Sequence, residues 1–344
     1  MSELPLSIGT LHFTGIGGIG MSGIAEILFE LGYQVQGSDS SENANVRRLR
    51  DKGIKVICGQ AAENVADASI VVISTAIKPD NPEVMAARER FIPIVHRAEM
   101  LGELMRLRWS VAVAGTHGKT TTSTLLAHLL QQNGTPVEAF LGGIARSTGT
   151  NLLVADPEEP HPWTVAEADE FDRSFLTLHP RHAVITSADA DHLDIYGTPD
   201  ALHRAMVDFA TQIEPGGVIL HEQAAAALRD VPGLPEHTVY GPLAPGANLP
   251  AGWTAAHSPT ADVAGGAAFT LHLVGHAPID IAWSMPGAHN AANATAAAAL
   301  RASAAAHDIA VQRYRGALST YLDVLTAEDA MIADQRAVAD LETR

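Results

Sequence analysis

Cysteine is nearly absent: Cys58 is the only one in 344 residues. No intrachain disulfide framework is available, and a reducing compartment is the simplest reading. Basic residues are also scarce, 22 Lys and Arg against 39 Asp and Glu, for a net charge of −17. That balance argues against nonspecific binding to nucleic acid or anionic membrane, while local positive groups can still hold an anionic nucleotide. No apolar run approaches the roughly 18 residues needed to span a bilayer. The start, Met1-Ser-Glu-Leu-Pro-Leu6, has neither the basic region nor the apolar core of a signal peptide. A soluble, cytoplasmic protein without membrane insertion is expected. No Ser–His–Asp or Cys–His nucleophile arrangement stands out.

What is present is a chain that is 47% apolar and long enough for roughly two domains. The stretch Ser110-Val-Ala-Val-Ala-Gly115-Thr-His-Gly118-Lys119-Thr120-Thr121 reads as a buried strand, a glycine loop and a helix running to Gln132. Backbone N–H groups and a helix N-terminus there suit phosphate, Lys119 adds a point charge, and the Thr120 hydroxyl suits Mg²⁺. The spacing is not the common one: Gly115 stands three residues before Gly118, and Val113 occupies the usual glycine position. A glycine-rich turn with a chance Lys-Thr is the plainer alternative.

A second glycine loop lies upstream. Strand candidate Leu11–Thr14 enters Gly15-Ile-Gly17-Gly18-Ile-Gly20-Met-Ser22-Gly23, followed by a helix to about Leu31. Gly15, Gly17 and Gly20 fit G-x-G-x-x-G, and a second strand, Gln34–Ser38, ends at Asp39, where an acidic residue would meet a ribose. Alone, this loop would suggest an NAD-dependent oxidoreductase, but any nucleoside diphosphate satisfies its physics. Strand candidates at 54–57, 70–74 and 92–95, with helices at 82–90 and 97–107, predict a parallel sheet covered on both faces. Gly17, Gly18, Ser22, Asp39, Ser74 and Arg97 would gather at its carboxyl edge; a solvated helix-end charge is the plain reading of Arg97.

Beyond Leu141 a loop is expected over about 142–162. Strand 163–166 delivers Glu167-Ala-Asp169-Glu170-Phe-Asp172, and strand 183–186 delivers Asp189-Ala-Asp191-His192-Leu-Asp194. Either could be an acidic surface turn. Both follow a phosphate loop, which points to hard metal ligands; Mg²⁺ takes one or two carboxylates, and a histidine ligand admits Mn²⁺ as substitute. A helix is expected at 202–213, a strand at 217–220, and late strands at 267–274 and 279–283. Residues 224–265 are uninformative. Pro286-Gly-Ala-His289-Asn290-Ala-Ala-Asn293 precedes an alanine-rich helix to about His307; the asparagines either lie near adenine or cap the helix.

These ordered motifs, together with Arg97-Ala-Glu-Met-Leu101 and Ser174-Phe-Leu176, resemble those of the Mur ligases, ATP-dependent amide-forming enzymes of peptidoglycan synthesis, and within them the alanine-adding branch. The resemblance spans roughly residues 8–320, and the short phosphate-loop spacing is the family's own. It implies an α/β fold: an N-terminal Rossmann-like parallel-sheet domain (1–108) binding the UDP-sugar, then a P-loop ATPase-like central α/β domain (109–322) binding ATP. Gly15, Gly17, Gly18 and Gly20 would approach the diphosphate. Gly115, Thr116, His117, Gly118, Lys119, Thr120 and Thr121 would hold ATP phosphates; His289, Asn290 and Asn293 would complete the nucleotide site; Thr120, Glu167 and His192 would be metal ligands, with Lys119, Glu167 and His192 serving catalysis. UDP-N-acetylmuramate and L-alanine would be the substrates, joined through an acyl phosphate. Two departures stand out. Ser187 replaces the family's usual asparagine. After Tyr321 the family's Gly-Val-x-Arg-Arg-Phe segment and third domain are not found; 323–344 reads as an atypical short polar-faced helix. The expectation is therefore a ligase impaired by truncation, or a nonenzymatic UDP-sugar or nucleotide-binding remnant.

Overall fold

In the computed structural model, which describes residues 8–145, 150–155, 162–171, 173–261, 267–283 and 285–316, two sheets follow one another. The first is built by β1 (Thr10–Thr14), α1 (Ile19–Glu30), β2 (Val35–Asp39), α2 (Ala44–Asp51), β3 (Lys55–Cys58), β4 (Ala68–Ile73), α3 (Pro82–Glu89), β5 (Ile94–His96) and α4 (Arg97–Leu107). Its strand order is β3-β2-β1-β4-β5, and every pair is parallel. A parallel pair needs a crossover, and the amphipathic helices supply it while covering the faces. Helix α3 starts at Pro82 as expected, with the Asn81 side chain accepting from the Glu83 amide at 2.9 Å.

Central strand β1 is buried on both faces, but not by the same chemistry. Leu11 and Phe13 join the apolar core. His12 and Thr14 are fully buried on a polar network centred on Glu83. His12 Nε2, Thr14 Oγ1 and Ser38 Oγ meet Glu83 Oε2 at 3.0, 2.7 and 2.7 Å, and Asn64 Nδ2 donates to Oε1 at 2.7 Å. Burial alone would push this carboxyl up; bonds from His12, Asn64 and Thr14 outweigh it and hold the group below its usual value. The network ties together the ends of β1 and β2, from which the first glycine loop leaves.

The second sheet comprises β6 (Trp109–Ala114), α5 (Lys119–Gln132), β7 (Val137–Ala145), β8 (Thr150–Leu153), β9 (Trp163–Ala168), β10 (His182–Ile185), α6 (Leu193–Tyr196), α7 (Pro199–Ala210), β11 (Val218–His221), α8 (Glu222–Leu228), β12 (Thr238–Pro242), β13 (Trp253–Ala261), β14 (Ala267–Leu273) and β15 (Ile279–Trp283), followed by α9 (Ala288–Gly316). The order is β15-β14-β13-β12-β11-β10-β6-β9-β7-β8, parallel in the middle and antiparallel at both edges. Residues to Leu300 make one compact unit, which contains both sheets; residues from 301 belong to a second. The expected loop at 142–162 is corrected in part: β7 runs to Ala145 and pairs antiparallel with β8. Glycines at 142 and 143 made this stretch read as loop, yet the ladder needs only backbone. The uninformative stretch holds α8, β12 and β13. The tail expected at 323–344 and Asp172 lie outside the described residues.

On β7, Glu138 is buried with its Oε1 3.5 Å from Arg108. Burial pushes its carboxyl up from the usual 4.5 to about 7, with Arg108 opposing. A raised acid pKa makes its contribution to stability complete below pH 4.5 and lost as pH rises through 7. Glu138→Gln should therefore raise thermal stability at pH 8, by at most about 3 kcal/mol, and change it little at pH 4, as read by thermal melts at the two pH values.

Candidate functional site

Strand β6 leads into the Gly115–Thr121 loop. Val111 to Ala114 are at most 1% exposed, and the neighbouring strands β9 and β10 pair on either side, with Glu167 opposite Val113 and Ile185 opposite Ala114. Two parallel neighbours therefore deliver their own carboxyl ends to the loop. Gly118 ends it in a left-handed conformation (φ 84°) and α5 begins at Lys119, two residues before the expected Thr121. A Cβ on Gly118 would stand 2.5 Å from Asn293 Oδ1.

Lys119 Nζ donates to Gly115 O at 2.9 Å and to both oxygens of Glu170, at 3.0 and 2.8 Å. Thr120 Oγ1 donates to Glu167 Oε2 at 3.0 Å, while Ser123 and the Gly142 amide bond Oε1 at 3.1 and 2.6 Å. Thr120 and Glu167 thus come together as two hard oxygen donors at the start of α5, a set that fits Mg²⁺. His192 does not join them: its Nε2 lies 3.5 Å from Glu170 Oε1, and its ring meets Phe171 edge-on. Among the described residues no group of three or more His, Cys, Asp or Glu is arranged to hold a metal. Glu170, side chain 1% exposed, is the residue that joins Lys119 to His192. Sequence reading named it only within an acidic run; its burial was the missing signal.

Ser187, the departure from the expected asparagine, works on the loop itself. Its hydroxyl accepts from the His117 amide at 2.9 Å and shares a 2.8 Å hydrogen bond with Thr116. Thr186 Oγ1 reaches Ala114 O at 3.0 Å and also His117 O. Behind the loop lies a cavity of about 650 Å³, whose walls include Thr121, His221, Tyr240, His257, His289 and Asn293. Asn290 also lines it, its amide held by Pro286 O at 2.8 Å. Neither asparagine caps the helix by its side chain: Asn293 lies inside the first turns, against Gly118. His221, Tyr240 and His257 were not anticipated. Burial pushes His257 down to about 4, helped by His221, and pushes His221 down as well, with Asp189 opposing. Burial also pushes the Tyr240 phenol up.

At the first glycine loop, the Gly15 and Ile16 amides bond Ser38 O at 2.8 and 2.9 Å, and Gly17 N donates to Asp39 Oδ2 at 2.9 Å. The Asp39 carboxylate, read from sequence as facing a ribose, holds the loop and the Ser41 amide. Ser22 is buried, within 3.5 Å of Arg48. Gly18 is exposed at the N-cap of α1. A Cβ on Gly20 would touch Arg97 Nη1 at 3.0 Å, so that guanidinium lies over the start of α1. Arg97 and Ser74 then line a cavity of about 280 Å³ whose far wall is Arg173, Ser174 and Thr177 from the second sheet's unit of chain. Arg173, three residues after Glu170, is a further group that sequence reading missed. Gly118→Ala should cost about 1–2 kcal/mol from the left-handed backbone and displace Asn293 as well, a loss that thermal unfolding will read.

Residues 10–109 match the Mur ligase family, catalytic domain, and residues 113–301 the Mur ligase middle domain. A UDP-N-acetylmuramate–L-alanine ligase of Rhodospirillum rubrum is 57% identical over 209 residues, 61% of this chain and 43% of that protein. The chain spans about half the length of the curated relatives it matches. Among solved structures, a UDP-N-acetylmuramate:L-alanyl-gamma-D-glutamyl-meso-diaminopimelate ligase from Neisseria meningitides superposes with a TM-score of 0.69 at 27% identity, covering 85% of this chain and 93% of that one. A UDP-N-acetylmuramate-alanine ligase from Thermotoga maritima gives 0.66 at 28% identity, covering 86% and 65%. With both of its sheets matched in order, the chain belongs to the Mur ligase family.

Proposed function

We propose that this chain carries the UDP-sugar-binding and ATP-binding parts of a ligase that joins L-alanine to UDP-N-acetylmuramate. The observation that carries the reading is a cavity shared by the two sheets. One cavity draws Ser74 and Arg97 from the first sheet and Arg173 and Ser174 from the second, and Arg173 follows Glu170, the partner of Lys119. A sugar whose diphosphate sat on the Gly15–Gly20 loop would lie beside Arg97 and the cavity that Arg97 shares with Arg173. Residues 1–108 would then bind the sugar and 109–322 the ATP, in a cytoplasmic enzyme of cell-wall synthesis.

Each group has a role in this reading. The Gly115–Thr121 loop and the N-terminus of α5 receive the ATP phosphates, and Lys119 exchanges Glu170 for a phosphate oxygen. His289, Asn290 and Asn293 border the rest of the nucleotide. Thr120 and Glu167, with His192 brought in from the next strand end, would hold Mg²⁺ or Mn²⁺, which supplies charge neutralisation on the phosphates when bound. The sugar's carboxylate attacks the γ-phosphate to give an acyl phosphate and ADP; the amine of alanine then displaces phosphate and forms the amide. Arg97 and Arg173 orient the anionic sugar, so the rate comes from alignment and electrostatics, with no protein nucleophile required.

The test is ADP release by the purified chain with ATP, Mg²⁺, UDP-N-acetylmuramate and L-alanine. Lys119→Ala should lower it by about 1,000-fold while sugar affinity, measured by calorimetry, stays within a factor of about two. Turnover that survives Lys119→Ala would remove the loop from the reaction. Sugar and nucleotide binding with no ADP release from the unaltered chain would identify a binding module instead of a ligase.

A further inference from the structure

Two histidines in the 650 Å³ cavity have their ring protons assigned by their neighbours. Thr295 has one hydroxyl proton and donates it to Ala291 O at 2.7 Å. Its oxygen can then only accept from His257 Nδ1, 3.2 Å away, so Nδ1 carries a hydrogen. Burial keeps this ring neutral, which leaves Nε2 as a bare acceptor. His221 has the opposite arrangement. Its Nδ1 accepts the Gln223 amide at 3.3 Å, and burial disfavours its charged form too. Its proton is therefore on Nε2, a donor. Both rings line the cavity whose other end is the Lys119 loop, and Tyr240 packs edge-on to His221 at 5.1 Å.

We propose that His221 and His257 read the base of the bound nucleotide, presenting one donor and one acceptor that select adenine over guanine or hypoxanthine. Adenine offers an exocyclic amine, which donates, beside a ring nitrogen, which accepts. It can give to His257 and take from His221. Guanine and hypoxanthine carry a carbonyl and a ring N–H at the corresponding positions. Both of their groups would meet the wrong partner, and a buried polar group facing a like partner is the strongest form of discrimination open to a binding pocket. The proposal rests on reading the Lys119 loop as an ATP site.

The experiment compares the affinity of the whole chain for ATP and for ITP, which differ only at the position of the amine and its neighbouring nitrogen. The unaltered chain should prefer ATP by about 30-fold or more, and Thr295→Val, which removes the acceptor that holds the His257 proton, should bring the preference to within about 3-fold. His257→Ala should do the same, and ¹⁵N spectra of the histidine rings should show Nδ1 protonated at His257 and Nε2 protonated at His221. Equal affinity of the unaltered chain for ATP and ITP, or discrimination that persists in Thr295→Val and His257→Ala, would overturn the base-reading role and leave the ATP site standing. Failure of both nucleotides to bind would instead overturn the site on which the proposal rests.

Discussion

Glu170 and Lys119 form the contact on which the arrangement of the site depends. The lysine has three N–H donors, and the three are engaged: one by Gly115 O of its own loop and two by the Glu170 carboxylate. The carboxylate side chain is 1% exposed and depends on this lysine for its two short hydrogen bonds. The Glu170 carbonyl accepts from Tyr196 at 2.6 Å. One residue therefore ties the phosphate loop, the end of β9 and helix α6 together. In the proposed reaction the lysine is already aimed before a phosphate arrives, and the incoming anion replaces a carboxylate whose charge has the same sign.

That contact exists because parallel strands end together. Strands β9, β6 and β10 run side by side, so the loops after them share one edge, and residues far apart in sequence, Lys119, Glu167, Glu170 and Ser187, meet there. The first sheet obeys the same rule. Its glycine loop is held by backbone bonds to Ser38 and by the Asp39 carboxylate, and below it the Glu83 network satisfies the polar side of β1 with His12, Thr14, Ser38 and Asn64. A buried carboxylate with four donors around it rigidifies the strand ends, and a rigid end is what a backbone-lined phosphate site requires.

The cavity behind the Lys119 loop is built differently from the cavity beside Arg97. The latter offers two guanidinium groups to an anion. The former contains the buried His257, the half-buried His221, the Tyr240 phenol and asparagine amides, with Asp189 at its wall. The two guanidinium groups line the cavity beside Arg97, and neutral hydrogen-bonding groups predominate in the one behind the Lys119 loop. In a chain with a net charge of −17, the proposed anionic substrates would be held by local positive groups and not by the overall field.

Much of this was legible from residues alone. The valine-rich strand before Gly115, the two glycine loops and the two acidic strand ends each have local causes: burial on both faces, backbone that must turn sharply, carboxylates too dense for a core. They determined the alternation of strands and helices and the identity of the family. Strands β8, β12 and β13 were not legible, because they lie in stretches rich in glycine, proline and alanine that carry no periodic signal. Burial and pairing were decided only in three dimensions. Sequence could not separate Glu170 from Asp169 and Asp194, distinguish the adenine and capping roles of the asparagines, or single out His221 and His257 among 16 histidines. Those distinctions depend on which side chain is excluded from water and which hydrogen-bond partner reaches it, and both are properties of strands and helices brought together from distant parts of the chain.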